Sequence, residues 1–356
     1  MHKTRKFKVN LGIFDLIKGI AIICIVFGHM LSYFDIEELA PLYPILAFPF
    51  LMRSAANPMF LMISGFGFKP KKVGICLKKG FSELIIPYVF VTLIVIIVFP
   101  IIHFLTFHWW PGAIHETIRY ALAFLFGVPK SGKEIFGYEL YECSVVWFLL
   151  ASFLAINLLN VILKVKSFSM QNILVILCVL AGYALFHIDF DYYCIPQGLM
   201  SVGYCYTGYI IKKRDVINNR NPLLLIVLAG ATAFETLFGG FGIAYGVFKI
   251  GFVDYLLAGC SGAFFMISCI LTSQIEWKIL EPIKQAGMYT YWIMCIHSIE
   301  MTCIPWYISM PTLIEHQVFE FILEIVVKAV IIFLGCVLLK KLTRYFYKRR
   351  ILLNGK

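Results

Sequence analysis

The chain is 356 residues long, 61% hydrophobic and only 14% charged, with a formal net charge of +11 and a mean hydropathy of +0.86. That composition excludes a soluble globular protein, and apolar blocks of about 17–25 residues exclude a membrane β-barrel, whose strands are about ten residues long and alternate. The basic residues lie in short loops and tails, as orientation signals do, so the charge carries no nucleic-acid signal. The 11 cysteines show no metal-ligand spacing, and most lie in apolar runs as small hydrophobes.

The fold class read from this pattern is all-α: a polytopic membrane bundle of about ten transmembrane helices with both termini cytoplasmic. Taken in order, the spans fall at about 11–32, 44–68, 82–105, 143–163, 171–187, 195–211, 222–238, 252–272, 286–308 and 317–340. A basic tail over 1–10 precedes the membrane domain at 11–342, and a second basic tail follows at 343–356. The polar start and the ionisable first run do not fit a cleaved signal peptide. Of the 31 Lys and Arg residues, 24 fall in the tails and alternate loops assigned to the cytoplasm, and only Arg119, Lys130, Lys133 and Lys249 fall in the opposite loops. The opposite loops carry Asp35, Glu37, Glu38, Asp189, Asp191 and Glu315. Cys143, Cys194 and Cys303 lie at predicted outer ends, where two of them could bridge.

The first span, Phe14 to His29, carries Asp15, Lys18 and His29 in an otherwise apolar run. At ~100° per residue, the eleven steps from Lys18 to His29 come to about 1,100°, so the two share one helical face roughly 16 Å apart. Asp15 lies one turn before Lys18 and can pair with it. Two readings are open: a watery site reached from both sides, or a snorkelling lysine with a histidine at the far end.

The second span holds Arg53, Asn57 and Ser64, with Pro49 and Pro58 expected to bend it. Arg53 and Asn57 are one turn apart, and an Arg at this depth calls for a carboxylate or a polar ligand opposite. The segment from 106 to 142 contains His108-Trp109-Trp110-Pro111 and an amphipathic run from Ile114 to Phe126. It reads as an interfacial helix, or as a lid or acceptor-binding loop. Asn157, Glu235, Asp254, His297, Glu300, Glu320, Glu324 and Lys328 are the remaining buried polar candidates. Glu324 and Lys328 are expected to pair, and Glu235 and Asp254 to lie at the rim of the hairpin between spans seven and eight. Gly239-Gly240-Phe241-Gly242 reads as its turn. No P-loop, GxSxG elbow, HExxH or dinucleotide fingerprint is present.

Phe14-Asp15-x-x-Lys18-Gly19, closing on His29, resembles the opening of the integral-membrane acyltransferase 3 family. Further similar stretches follow in order: Pro58 to Phe66, Ile86-Pro87-Tyr88, Val146 to Leu149, and Gly287 to His297. The resemblance implies a multi-pass protein of the bacterial cytoplasmic membrane. It would move an acyl group, often acetyl, from cytoplasmic acyl-CoA to a hydroxyl of a cell-envelope glycan, lipid or small molecule. It implies His29 as the catalytic residue, with Lys18 and Asp15 beside it. Lys72, Lys78, Lys79 and Arg53 are the candidates for holding the donor, and Asn57, Ser64, Trp147, His297 and Glu300 for the acceptor. No metal and no nucleic acid is expected. The family often carries Arg-x-x-Arg before the third span, and Gly80 and Glu83 stand at those positions here. Ten-span domains like this one also form the membrane half of vancomycin-resistance-type serine racemases, so an amino-acid permease module is the alternative.

Overall fold

The computed structural model describes residues 11–31, 34, 39–219, 221–272, 278–306 and 317–354. The N-terminal tail, Asp35, Glu37, Glu38, Arg220, Glu315 and Lys356 lie outside the described residues. Fifteen helices and two small hairpins make up the described part.

Helix α1 spans Leu11–Leu31. Tyr43–Met52 (α2) and Ala56–Phe66 (α3) are two helices bent by 60° at the break between them, the bend that Pro49 and Pro58 predict. Val73–Gly80 (α4), a π turn at Phe81–Ile85, and Ile86–Phe107 (α5) run on as one helical rod of 35 residues. The amphipathic helix α6, Trp110–Phe126, starts on Pro111 and stops at Gly127, whose φ of 56° suits glycine. A short hairpin pairs Glu134–Ile135 (β1) with Tyr138–Glu139 (β2). Then come α7 (Trp147–Ile162), α8 (Phe168–His187), α9 (Ile195–Lys213), α10 (Val216–Asn219) and α11 (Pro222–Phe238). A second hairpin, β3 (Phe241–Gly242) with β4 (Val247–Phe248), leads into α12 (Phe252–Thr272). The helices α13 (Glu281–Met288), α14 (Thr290–Cys303) and α15 (Gln317–Asn354) complete the chain, α15 continuing through most of the predicted C-terminal tail.

Helices occupy all ten predicted span positions, yet among the described residues six are long and apolar enough to cross a membrane, or seven if α2 and α3 count as one. The shortfall has a packing cause. Helix α9 carries Gln, Gly, Ser, Thr and Tyr residues inside the bundle, where protein wraps it: Gln197, Ser201, Tyr204, Cys205 and Tyr206 on it are all buried. Helices α11 and α14 are short, at 17 and 14 residues. By contrast α5, α8 and α15 expose apolar side chains such as Ile97, Leu105, Ile176 and Phe333, as lipid-facing helices do.

In hydrocarbon, helices associate through close backbone approach rather than through water exclusion, so glycines mark the crossings. A Cβ added at Gly19 would sit 1.9 Å from the Ile283 carbonyl oxygen, and one at Gly287 would sit 1.6 Å from that of Asp15. These two glycines lock α1 against α13. Gly65 against Cys205 (1.7 Å) and Gly208 against Met62 (1.9 Å) do the same for α3 and α9. Cys143, Cys194 and Cys303 are free thiols, so the bridge the sequence allowed is not formed. The Cys194 thiol is hydrogen-bonded to Cys143 and to the Gly127 carbonyl.

Candidate active site

The crossing helices leave a cavity of about 580 Å³ inside the bundle. Lys18, His29, Arg53, Asn57, Ser64 and Trp147 all line it, so six of the sequence candidates from three separate segments meet at one space. Leu84 of the π turn, the hairpin loop Phe241–Tyr245, and Tyr291 of α14 complete the wall. A π turn inside a helical rod often accompanies a functional site.

The cavity has two ends. The Phe14 and Phe66 rings lie 5.8 Å apart, which sets the end of α3 beside the start of α1. Ser64 therefore sits at the Lys18 end. Arg53 lies eleven residues back along α3 and its lead-in, toward His29. At the first end Lys18 Nζ is 3.7 Å from Asp15 Oδ1, the pair that the one-turn spacing predicts. The Ser64 hydroxyl donates to the Phe60 carbonyl at 3.1 Å.

At the second end the His29 ring lies 5.6 Å from the ring of His297, centroid to centroid and tilted by 53°. His297 and Glu300 do not line the cavity; they are buried behind His29, at 0% and 3% exposure. His297 Nδ1 is 2.7 Å from Glu300 Oε1. The Glu300 carboxylate also accepts from Trp306 Nε1 at 2.8 Å and from Lys328 Nζ at 3.2 and 3.4 Å. Lys328 reaches Glu324 Oε1 at 3.1 Å as well, the pairing expected from the sequence. A buried ammonium is tolerated only with such partners. With Glu300 accepting from every neighbour, the hydrogen of His297 belongs on Nδ1.

Arg53 stacks on the Phe50 ring, 4.3 Å from its centroid, and forms no ion pair among the described residues. Of the carboxylate or polar ligand expected opposite it, no carboxylate stands there among the described residues. Glu235 and Asp254 are not rim residues; both are buried, at 1% and 0% exposure, and their oxygens hold the hairpin that walls the cavity. Phe241 N donates to Glu235 Oε1 (3.2 Å), while Gly240 N and Ile250 N donate to Asp254 at 3.3 and 2.8 Å. The hairpin loop was legible only as a turn; the acids flanking it were the signal for its role. Lys72, Lys78 and Lys79 project from α4 outside the cavity, and Lys79 pairs with Glu83 at 3.5 Å. No cluster of three or more His, Cys, Asp or Glu suited to a metal occurs among the described residues.

The arrangement brings an imidazole, a guanidinium and an ammonium to one largely apolar cavity. That suits proton transfer on a small polar group of a larger, partly apolar substrate. The Acyl_transf_3 family model, described as an acyltransferase domain, matches residues 11–341. Neither a curated protein nor a solved structure matches the chain. The matched region takes in every residue of the cavity, and with it this multi-pass membrane protein belongs to the integral-membrane acyltransferase 3 family.

Proposed function

We propose that this membrane acyltransferase moves an acyl group, acetyl in the simplest case, from acyl-CoA to a hydroxyl of a cell-envelope glycan, lipid or small molecule. The observation that carries this reading is that His29 and Lys18 line opposite ends of one cavity, which lets a donor and an acceptor enter separately. Helix α4 follows α3 directly, so Lys72, Lys78 and Lys79 stand at the Lys18 end. They and Lys18 are the cations that meet the donor's phosphates, by charge rather than by the bidentate fork of an arginine pair. The protein sits in the bacterial cytoplasmic membrane, crosses it about ten times, and keeps both termini in the cytoplasm.

In this mechanism the acceptor hydroxyl gives its proton to His29 as its oxygen bonds to the thioester carbonyl carbon. The carbon–sulfur bond then breaks, and the CoA thiolate takes the proton back from His29. His297 is a positioning residue. Held by Glu300 as an Nδ1–H donor, it packs its ring against that of His29 and fixes where the His29 imidazole sits. A cryo-EM structure with acetyl-CoA bound tests the placement. The thioester is expected beside His29 with the nucleotide at the α4 lysines, and a thioester anchored away from the cavity refutes the reading.

A further inference from the structure

The charges lining the His29 cavity do not cancel. Lys18 has Asp15 beside it. Arg53, at the other end, has neither a carboxylate nor a hydrogen-bond acceptor among the described residues, only the face of Phe50. The Arg53 side chain is exposed and lines the cavity, so its guanidinium is open to a group that enters there. The acidic groups behind the wall are engaged elsewhere. Glu235 and Asp254 bond to the hairpin backbone and to each other, Glu235 also holds Ser54, and Glu142 bonds to Tyr245. The cavity therefore presents one guanidinium whose fork no described protein group fills.

On the proposed donor placement the phosphates belong with Lys18 and the α4 lysines, while Arg53 lies eleven residues before Ser64, past the break that precedes α3. An anion that meets Arg53 would then arrive with the other substrate. We propose that the acceptor is anionic: a hydroxyl compound bearing a carboxylate or phosphate, gripped by the Arg53 guanidinium. The amide of Asn57, one turn further on and also in the wall, is placed to bond the same group. The anchor would hold the acceptor's hydroxyl toward His29, so Arg53 is a specificity residue for that end of the cavity. This inference rests on the acyl-transfer reading for its meaning, though the anion site itself does not.

The test uses the full chain in lipid nanodiscs, with acetyl-CoA hydrolysis as the readout and inorganic phosphate, L-lactate and neutral glycerol as probes. Phosphate or lactate should inhibit without competing with acetyl-CoA, and glycerol should not inhibit. The stronger of the two anions shows whether the natural group is a phosphate or a carboxylate. In Arg53→Gln the inhibition constant should rise about tenfold, and in Arg53→Lys by less, because charge survives without the fork. Equal inhibition in wild type and Arg53→Gln overturns the proposal, as does inhibition by neither anion or inhibition that competes with acetyl-CoA. If the wild type does not turn over acetyl-CoA, the acyl-CoA reading fails by itself. The anion site is then read by thermal unfolding: phosphate should raise the wild-type midpoint and not that of Arg53→Gln, and an equal shift in both overturns it.

Discussion

His29 and His297 face each other across the junction of α1 and α14, their ring centroids 5.6 Å apart, although 268 positions separate them in the chain. One ring lines the cavity; the other is sealed behind it against a carboxylate and an ammonium. The pairing makes the buried network part of the site without giving it access to substrate.

If Glu300 positions His29 through His297, replacing it should slow chemistry without weakening binding. Glu300→Gln is expected to lower kcat for acyl transfer by about tenfold or more while KM for acetyl-CoA stays within about twofold. Glu300→Asp should recover part of the rate. A purely structural role would lower the active fraction and leave the pH–rate profile of the surviving enzyme unchanged.

Lys328 is 1% exposed and holds Glu300 and Glu324 together. Removing one partner of such a cluster leaves charge buried without compensation, at a cost of about 3–5 kcal/mol. Lys328→Ala should therefore lower the thermal unfolding midpoint sharply in nanodiscs. An unchanged midpoint would mean that the cluster is wetter than its burial indicates.

The glycines divide into two classes that substitution should separate. Gly287→Ala puts a methyl 1.6 Å from the Asp15 carbonyl oxygen and must push α13 off α1, destabilising by about 1–3 kcal/mol or more. Gly230, in α11, has nothing within 4 Å of the added carbon. Gly230→Ala should be neutral or stabilising by up to about 1 kcal/mol through helix propensity. Paired thermal-shift measurements on the two variants check this, and equal effects would contradict the crossing geometry.

Glu116, on α6, makes the fold sensitive to acid. Burial alone would push its carboxyl up, but hydrogen bonds from Tyr141 and His115 and the charge of Arg119 outweigh burial and hold it below its ordinary value. A depressed folded-state value stabilises the fold above the unfolded-state value near 4.5, and the contribution is lost as pH falls through the lower, folded one. Thermal midpoints taken from pH 6 to pH 3 should fall less steeply in Glu116→Gln than in wild type. Parallel curves would remove Glu116 from the acid response.

Much of this site was legible in α1 alone. The eleven-residue spacing set Lys18 and His29 on one face, and the cavity lies along that face. The prolines announced the break before α3, and the glycines of the family motifs proved to be helix crossings, which is why those positions admit no side chain. What could not be read depends on contacts between distant segments. Helical periodicity places His297 and Glu300 on one helix but does not say whether that helix meets α1 with them behind the wall or in it. The hairpin between α11 and α12 looked like a plain turn because its role comes from Glu235 and Asp254 folding its backbone over the cavity. Arg53 has no ion-pair partner among the described residues because its side chain is exposed to the cavity rather than buried, which an apolar run in the sequence does not reveal. Helices stand at all ten positions read as spans, but among the described residues only six pass a test of length and apolarity, because interior helices such as α9 need not be apolar.

Purified chain in nanodiscs, given acetyl-CoA labelled in the acetyl group, measures the central claim most directly. The account predicts steady release of free CoA by the wild type and a loss of about a hundredfold or more in His29→Ala. Turnover in His29→Ala equal to that of the wild type would contradict it.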